Sequence, residues 1–287
     1  MKKGNDLEKA VENLKLADIF PRVMNIWAHE SHQPVITDYG VMRIYHDGYT
    51  PYSTIDVDFM FYVGSDIVDR ADFGDDEKEI RIGSFWREYF KKHPQLDVEE
   101  PLTVAHAKIK LMSVDDGEGV AYKADEEGGF ANTAAACDMY LEWLEEKKPT
   151  VYAYLSWGFY YCEVYNMYIS PDFRGLGLGN YIWASIPYIL RKLRVNPFVV
   201  VTHINPFVNQ NLDLSVDRCG GIYMKHDGVV EDNVRYKELV NIMKKPLLKL
   251  GYRKTPHEEI YCMDSVSYFK KMESSRYSFD DVGIDWE

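Results

Sequence analysis

Four cysteines in 287 residues, Cys137, Cys162, Cys219 and Cys262, stand far apart with no C-x-x-C pair. That spacing excludes a zinc ribbon and a dense disulfide framework, and it leaves reduced thiols in a cytoplasm as the expectation. No apolar run approaches the roughly 20 residues of a membrane span. The helical stretch after Met1-Lys2-Lys3 is studded with Glu8, Glu12 and Lys15, so no export signal is expected. Basic charge is also short: 33 Lys and Arg face 46 Asp and Glu, a net charge of −13, which argues against a non-specific nucleic-acid binder. The scattered His and Cys lack the spacing of metal ligands, so no metal is implied.

What remains is ordinary globular material, 46% hydrophobic and 28% charged, enough to bury a proper core. Acidic blocks at 72–79, 115–118 and 125–127 read as solvated loops, with the sharper alternative that one of them fields a cationic amine. Residues 6–30 show apolar residues at near-helical spacing broken by Pro21, predicting two short helices, and 40–64 read as a hairpin. A helix is predicted over Ser84 to Lys92, a strand over Leu102 to Met112, a glycine-rich acidic loop over Asp115 to Gly129 and a helix over Asn132 to Lys148. Strands are predicted over Val151 to Trp157 and Tyr160 to Ile169, a helix over Asn180 to Arg194 and a buried strand over Phe198 to Ile204.

The most informative stretch is Arg174-Gly175-Leu176-Gly177-Leu178-Gly179, which joins the strand ending near Ile169 to the helix starting at Asn180. Three glycines at alternate positions strip side chains from a strand-to-helix turn, so several N–H groups can converge on one anion. A dinucleotide fingerprint needs G-x-G-x-x-G and an acidic residue about 20 positions on, and a Walker loop needs Gly-Lys-Ser/Thr. Neither pattern is present, since Gly179 is followed by Asn180-Tyr181 and the next carboxylate is Asp213.

From Tyr165 to Gly179 the sequence resembles the acyl-CoA-binding motif of the GNAT superfamily of N-acyltransferases, an apolar strand running into Pro-x-x-Arg-Gly-x-Gly-x-Gly/Ala and then a helix. The resemblance implies an α/β fold of the α+β type, with a mixed, largely antiparallel central sheet flanked by helices and with N-terminal and C-terminal additions. On that basis residues 1–100 form an extension with room for the family's opening strands, 101–270 the acyltransferase domain and 271–287 an acidic tail. The implied activity is transfer of acetyl from acetyl-CoA to a primary amine of a small molecule or protein by direct attack in a ternary complex. A binding or regulatory module without catalysis is the alternative.

Backbone amides of Arg174, Gly175, Leu176, Gly177, Leu178, Gly179 and Asn180 would then receive the pyrophosphate, with main-chain groups near Met167 and Ile169 along the pantetheine arm. The family's helix after the 198–204 strand has two candidates. The favoured one is Asn209 to Gly221, which leaves 233–250 as an added helix and Ile260 to Phe269 as a late strand. The other is Tyr236 to Tyr252, whose Lys249-Leu250-Gly251-Tyr252 ending resembles the family's closure.

The chemistry needs an acceptor for the ammonium proton, a polarised carbonyl and a proton for the departing thiolate. Glu163, eleven residues before Arg174 on the strand that leads into the loop, lies in the zone where the resemblance implies an acidic base and is the first candidate. A bulge near Tyr165 and Asn166 would free an N–H to polarise the carbonyl, and these two side chains are candidates to order a water. His203 is a second relay candidate. The family commonly supplies a Tyr acid from the following helix; Asn209 to Cys219 has none, and Tyr223 is the substitute considered.

Overall fold

Apolar residues on both faces build a sheet covered on each side, and the order of strands places one of its two parallel pairs near its middle. In the computed structural model the described residues are 25–30, 34–36, 42–44, 53–61, 63–100, 102–115, 119–126, 131–204, 234–257, 259–272 and 284–285. Over these residues the strands are β1 (Asn25–Glu30), β2 (Pro34–Ile36), β3 (Met42–Ile44), β4 (Ser53–Phe61), β5 (Leu102–Val114), β6 (Phe159–Ile169), β7 (Phe198–His203), β8 (Arg253–Lys254), β9 (Ile260–Asp264) and β10 (Ile284–Asp285). The helices are α1 (Ser65–Phe73), α2 (Glu77–Lys92), α3 (Val120–Glu126), α4 (Ala131–Lys147), α5 (Pro149–Leu155), α6 (Leu178–Lys192), α7 (Val234–Leu250) and α8 (Ser265–Met272).

The eight-stranded sheet runs β10-β1-β4-β5-β6-β7-β9-β8, with β2 and β3 as a separate pair. All neighbours are antiparallel except β1 with β10 and β6 with β7. This is the mixed, largely antiparallel sheet flanked by helices that the resemblance implies.

Strand alternation then sorts the core into two clusters. On one face Val57, Ile109, Val164 and Val200 pack with α2, α6 and α7 through Phe85, Trp86, Ile182, Ile186 and Leu247. On the other face Met112, Tyr161, Val201 and Cys262 pack under α3, α4 and α5 through Val120, Cys137, Tyr140 and Leu155. The second cover stops short. Lys110 of β5 and Glu163 of β6 pair at the margin of that cover, and beyond it the half-buried His106 and Lys108 stand in register with Tyr168 and Asn166.

Several expectations are corrected, each for a local reason. Residues 25–30 are strand, not helix, because six residues carry too little period to decide and β4 offers a full antiparallel partner, Asn25↔Met60 to Glu30↔Ile55. The first twenty-four residues lie outside the described set. Residues 120–126 are helix, not loop, because Asp138 on α4 accepts from the N–H groups of Val120 and Ala121, both at 2.8 Å, and so supplies a helix cap from a distance. Residues 149–155 are helix, not strand: Pro149 occupies the first turn, where its missing N–H costs nothing, and Lys148 O accepts from Val151 and Tyr152. The strand beginning at Ile260 ends at Asp264, whose Oδ1 accepts from Ser267 N–H at 2.6 Å and starts α8.

The acidic block at 72–79 has structural work. Asp76 accepts from Glu79 N–H at 2.8 Å, Glu79 accepts from Asp75 N–H at 3.0 Å, and Asp72 takes both arms of Arg87. That capping arrangement starts α2 at Glu77, earlier than the predicted Ser84. Between β7 and β8 the described helix is α7, which ends at Leu250 and is followed by Gly251-Tyr252; Asn209 to Gly221 lies outside the described residues.

The Asp138 cap gives a direct expectation. Asp138→Ala leaves two N–H groups at the start of α3 without their charged acceptor, so chemical denaturation should show a loss of about 1–2 kcal/mol.

Candidate active site

β6 and β7 share register only from Tyr160↔Phe198 to Glu163↔Val201, and then they part. The cause lies on the other edge of β6. Lys108 pairs with Asn166 and Ile109 with Val164, so Tyr165 is an extra residue with no opposite number on β5. A bulge of this kind bends its strand and increases the local twist, which swings β6 away from β7. At the apex of the opening Thr202 Oγ1 donates to Val164 O at 3.1 Å.

The main-chain directions follow from three hydrogen bonds. Tyr160 N–H donates to Pro197 O at 2.9 Å, so the even residues before the bulge face β7. Ser170 N–H donates to Val104 O at 3.0 Å, so counting back along the strand Met167 and Ile169 turn their main-chain groups away from β5 and into the opening. Ile169 O there accepts from Arg174 Nε at 2.9 Å, and the Arg174 guanidinium lies 5.6 Å from the Tyr168 ring. Arg174 therefore folds back along β6 as a carbonyl cap.

At the wide end of the opening sits the glycine turn. Pro171–Phe173 makes one 3-10 turn, and Arg174 N–H closes it on Pro171 O at 3.3 Å. Gly175 has φ 84° and Gly177 φ 90°, both left-handed, and Gly177 is the N-cap of α6. A Cβ at either glycine would meet nothing within 4 Å, so backbone conformation rather than crowding demands glycine. Main-chain hydrogen bonding resumes with Asn180 N–H to Gly177 O at 3.0 Å and Tyr181 N–H to the same oxygen at 3.3 Å. Among the described residues no main-chain acceptor faces the N–H groups from Gly175 to Gly179. Arg174 and Asn180, at the two ends of the expected cradle, already use theirs.

Those amides open the fifteen-residue α6, whose N-terminal end carries partial positive charge. With the space above Gly175 and Gly177 open, the turn fits a diphosphate on its own geometry. It is also held firmly from below. Phe173 is fully buried against Phe85, Trp86 and Tyr89, and His93 Nε2 meets Asp172 Oδ2 at 3.0 Å. Leu178 is buried, while Met167, Ile169 and Leu176 pack against the same core from its rim.

Glu163 stands beside the apex, 7% exposed, on the face covered by α4. Tyr161 Oη lies 3.4 Å from its Oε2. Burial pushes its carboxyl up to about 7, against the opposing pull of the Lys110 ammonium and of hydrogen bonds from Thr133 and Tyr161. Lys110, opposite Glu163 across β5 and β6, is itself lowered by burial, with Glu163 working the other way. Its Nζ lies 4.6 Å from the centroid of the Tyr165 ring, and Tyr165 is 37% exposed.

The opening thus brings together Glu163, Tyr165, Asn166, Met167, Ile169 and the glycine turn. His203 is exposed at the outer end of β7. Tyr223 lies outside the described residues. Sequence reasoning missed Lys110, Thr202 and Phe173. Lys110 and Thr202 matter through registers that no local pattern encodes, whereas an apolar residue just before Arg174 was a readable hint that Phe173 anchors the turn.

No protein-family model and no curated protein matches the chain. Among solved structures it is similar to a protein of the yellow fever mosquito described as arylalkylamine N-acetyltransferase 7, at 9% identity and a TM-score of 0.28, over 74% of this chain and 89% of that one. At that level of overlap no residue correspondence follows from the match. None of the described helices is long and apolar enough to cross a membrane.

Proposed function

We propose that the protein is an acyl-CoA-dependent N-acyltransferase that moves acetyl from acetyl-CoA to a primary amine. The observation that carries this reading is the opening itself: one parallel strand pair parts at Glu163 and Val201, with an anion cradle at its wide end and a buried carboxyl at its narrow end. Gly175 to Gly179 hold the diphosphate, and the outward main-chain groups of Met167 and Ile169 hydrogen-bond the amide-bearing arm as a further strand would. The thioester group supplies the acyl carbon that the amine attacks, and it ends near the apex.

The chain's own groups do the rest. Glu163, with its carboxyl at about 7, takes the proton of the incoming ammonium directly or through a water held near Tyr165 and Asn166. The bulge at Tyr165 turns main-chain dipoles toward the acyl oxygen. The amine arrives over the half-buried part of the β5 and β6 face beyond α4.

Isothermal titration with acetyl-CoA tests the cradle, and thiol release with a panel of primary amines tests the transfer. Binding in the micromolar range with amine-dependent release of coenzyme A is expected. Absence of binding at millimolar ligand rejects the reading, and binding without release from any amine favours a binding module instead.

A further inference from the structure

Lys110 is a primary amine already stationed at the proposed base. It faces Glu163 in the β5 and β6 register, so the two side chains leave the sheet on the same side from Cβ atoms about 5 Å apart. Its Nζ lies over the Tyr165 ring at 4.6 Å. Glu163 and Tyr165 are the chain neighbours of Val164, whose carbonyl is tied to Thr202 at the apex. An arm that runs from the glycine turn past Ile169 and Met167 reaches, at Val164, the point where β6 and β7 are joined again. The Lys110 amine and the Glu163 carboxyl therefore belong to the residues around the narrow end of the opening.

We propose that Lys110 is a self-acylation site, modified by the bound acyl-CoA when no external amine is present; the inference rests on the N-acyltransferase reading. Glu163 accepts a proton from the Lys110 ammonium, and the freed lone pair of Nζ attacks the acyl carbon. The Nζ–C bond forms, the C–S bond breaks, and its electron pair leaves on sulfur as the thiolate of coenzyme A. The second amine proton is lost as the amide forms and serves to protonate the thiolate. Partial burial of Lys110 makes the neutral amine more accessible than on an exposed lysine. Tethering removes the entropy cost that a free amine meets. Acetylated Lys110 loses its positive charge beside Glu163 and occupies the approach to the acyl carbon, so the modification slows transfer to other amines.

The test is to incubate the full chain with acetyl-CoA and no amine, and to follow intact mass, free thiol and peptide maps together. One acetyl group per chain is expected, mapped to Lys110, with one thiol released for each acetyl gained. Lys110→Arg should abolish the gain at that peptide, and Glu163→Gln should slow it at least tenfold. Acetyl groups spread over surface lysines at equal rates, on Lys108 in preference to Lys110, or on unfolded protein as fast as on folded, overturn the inference. If added amines are acetylated while Lys110 stays unmodified, the inference fails and the proposed function stands. If acetyl-CoA does not bind, both fail.

Discussion

Glu163→Gln is expected to lower kcat/KM for a primary amine by about a hundredfold to a thousandfold, the usual range for loss of a positioned base. Gln keeps the shape and can still meet Tyr161 and Thr133, so acetyl-CoA affinity and the fold should be little changed. The wild type should show an acid limb centred at about 7, set by the buried carboxyl. Below it only the protonated, inactive acid is present, and the rate falls about tenfold per pH unit. Above it the carboxylate is available and the rate levels off, falling again only where the free amine has already lost the proton that Glu163 would take. In the Gln variant the limb at 7 should vanish, leaving only the titration of the amine. Steady-state kinetics from pH 5.5 to 9.5 check this, and an unchanged limb in the variant removes Glu163 from the mechanism.

Gly177→Glu should weaken acetyl-CoA by about a hundredfold to a thousandfold, read by titration calorimetry. Two effects add. Gly177 sits at φ 90°, where a side chain costs roughly 1–2 kcal/mol. A carboxylate brought within roughly 6 Å of a phosphate charge opposes it by about 3 kcal/mol at an effective dielectric of 20. Gly177→Ala carries only the strain, so a loss of at most about tenfold is expected. The space around this glycine is open, so both variants should fold. Equal affinities for all three proteins would show that the diphosphate lies elsewhere.

Much of this site was legible in the sequence because it is local. Residues 159–203 form one continuous run of strand, turn, helix and strand, and the glycines mark the turn, two of them, Gly175 and Gly177, by conformational need. Glu163 could be placed beside the opening by counting back along a strand. The helices at 120–126 and 149–155 were not legible. The first is started by Asp138, eighteen residues ahead of Val120, and the second has a Val and Tyr composition that suits a strand equally well. Lys110 was invisible for a related reason: it lies fifty-three residues from Glu163 along the chain and meets it only through the pairing of β5 with β6.

The buried position of Glu163 has a thermodynamic side. In the unfolded chain such a carboxyl ionises near 4.5, but in the folded chain only at about 7. Between those values the native state keeps a proton that the unfolded state has released. The stabilisation this group gives is therefore complete below pH 4.5, declines as pH rises, and is gone above 7, a difference of roughly 3 kcal/mol at about 1.4 kcal/mol per unit. As far as this one group is concerned, the fold is weakest in the pH range where its carboxylate is ready to act.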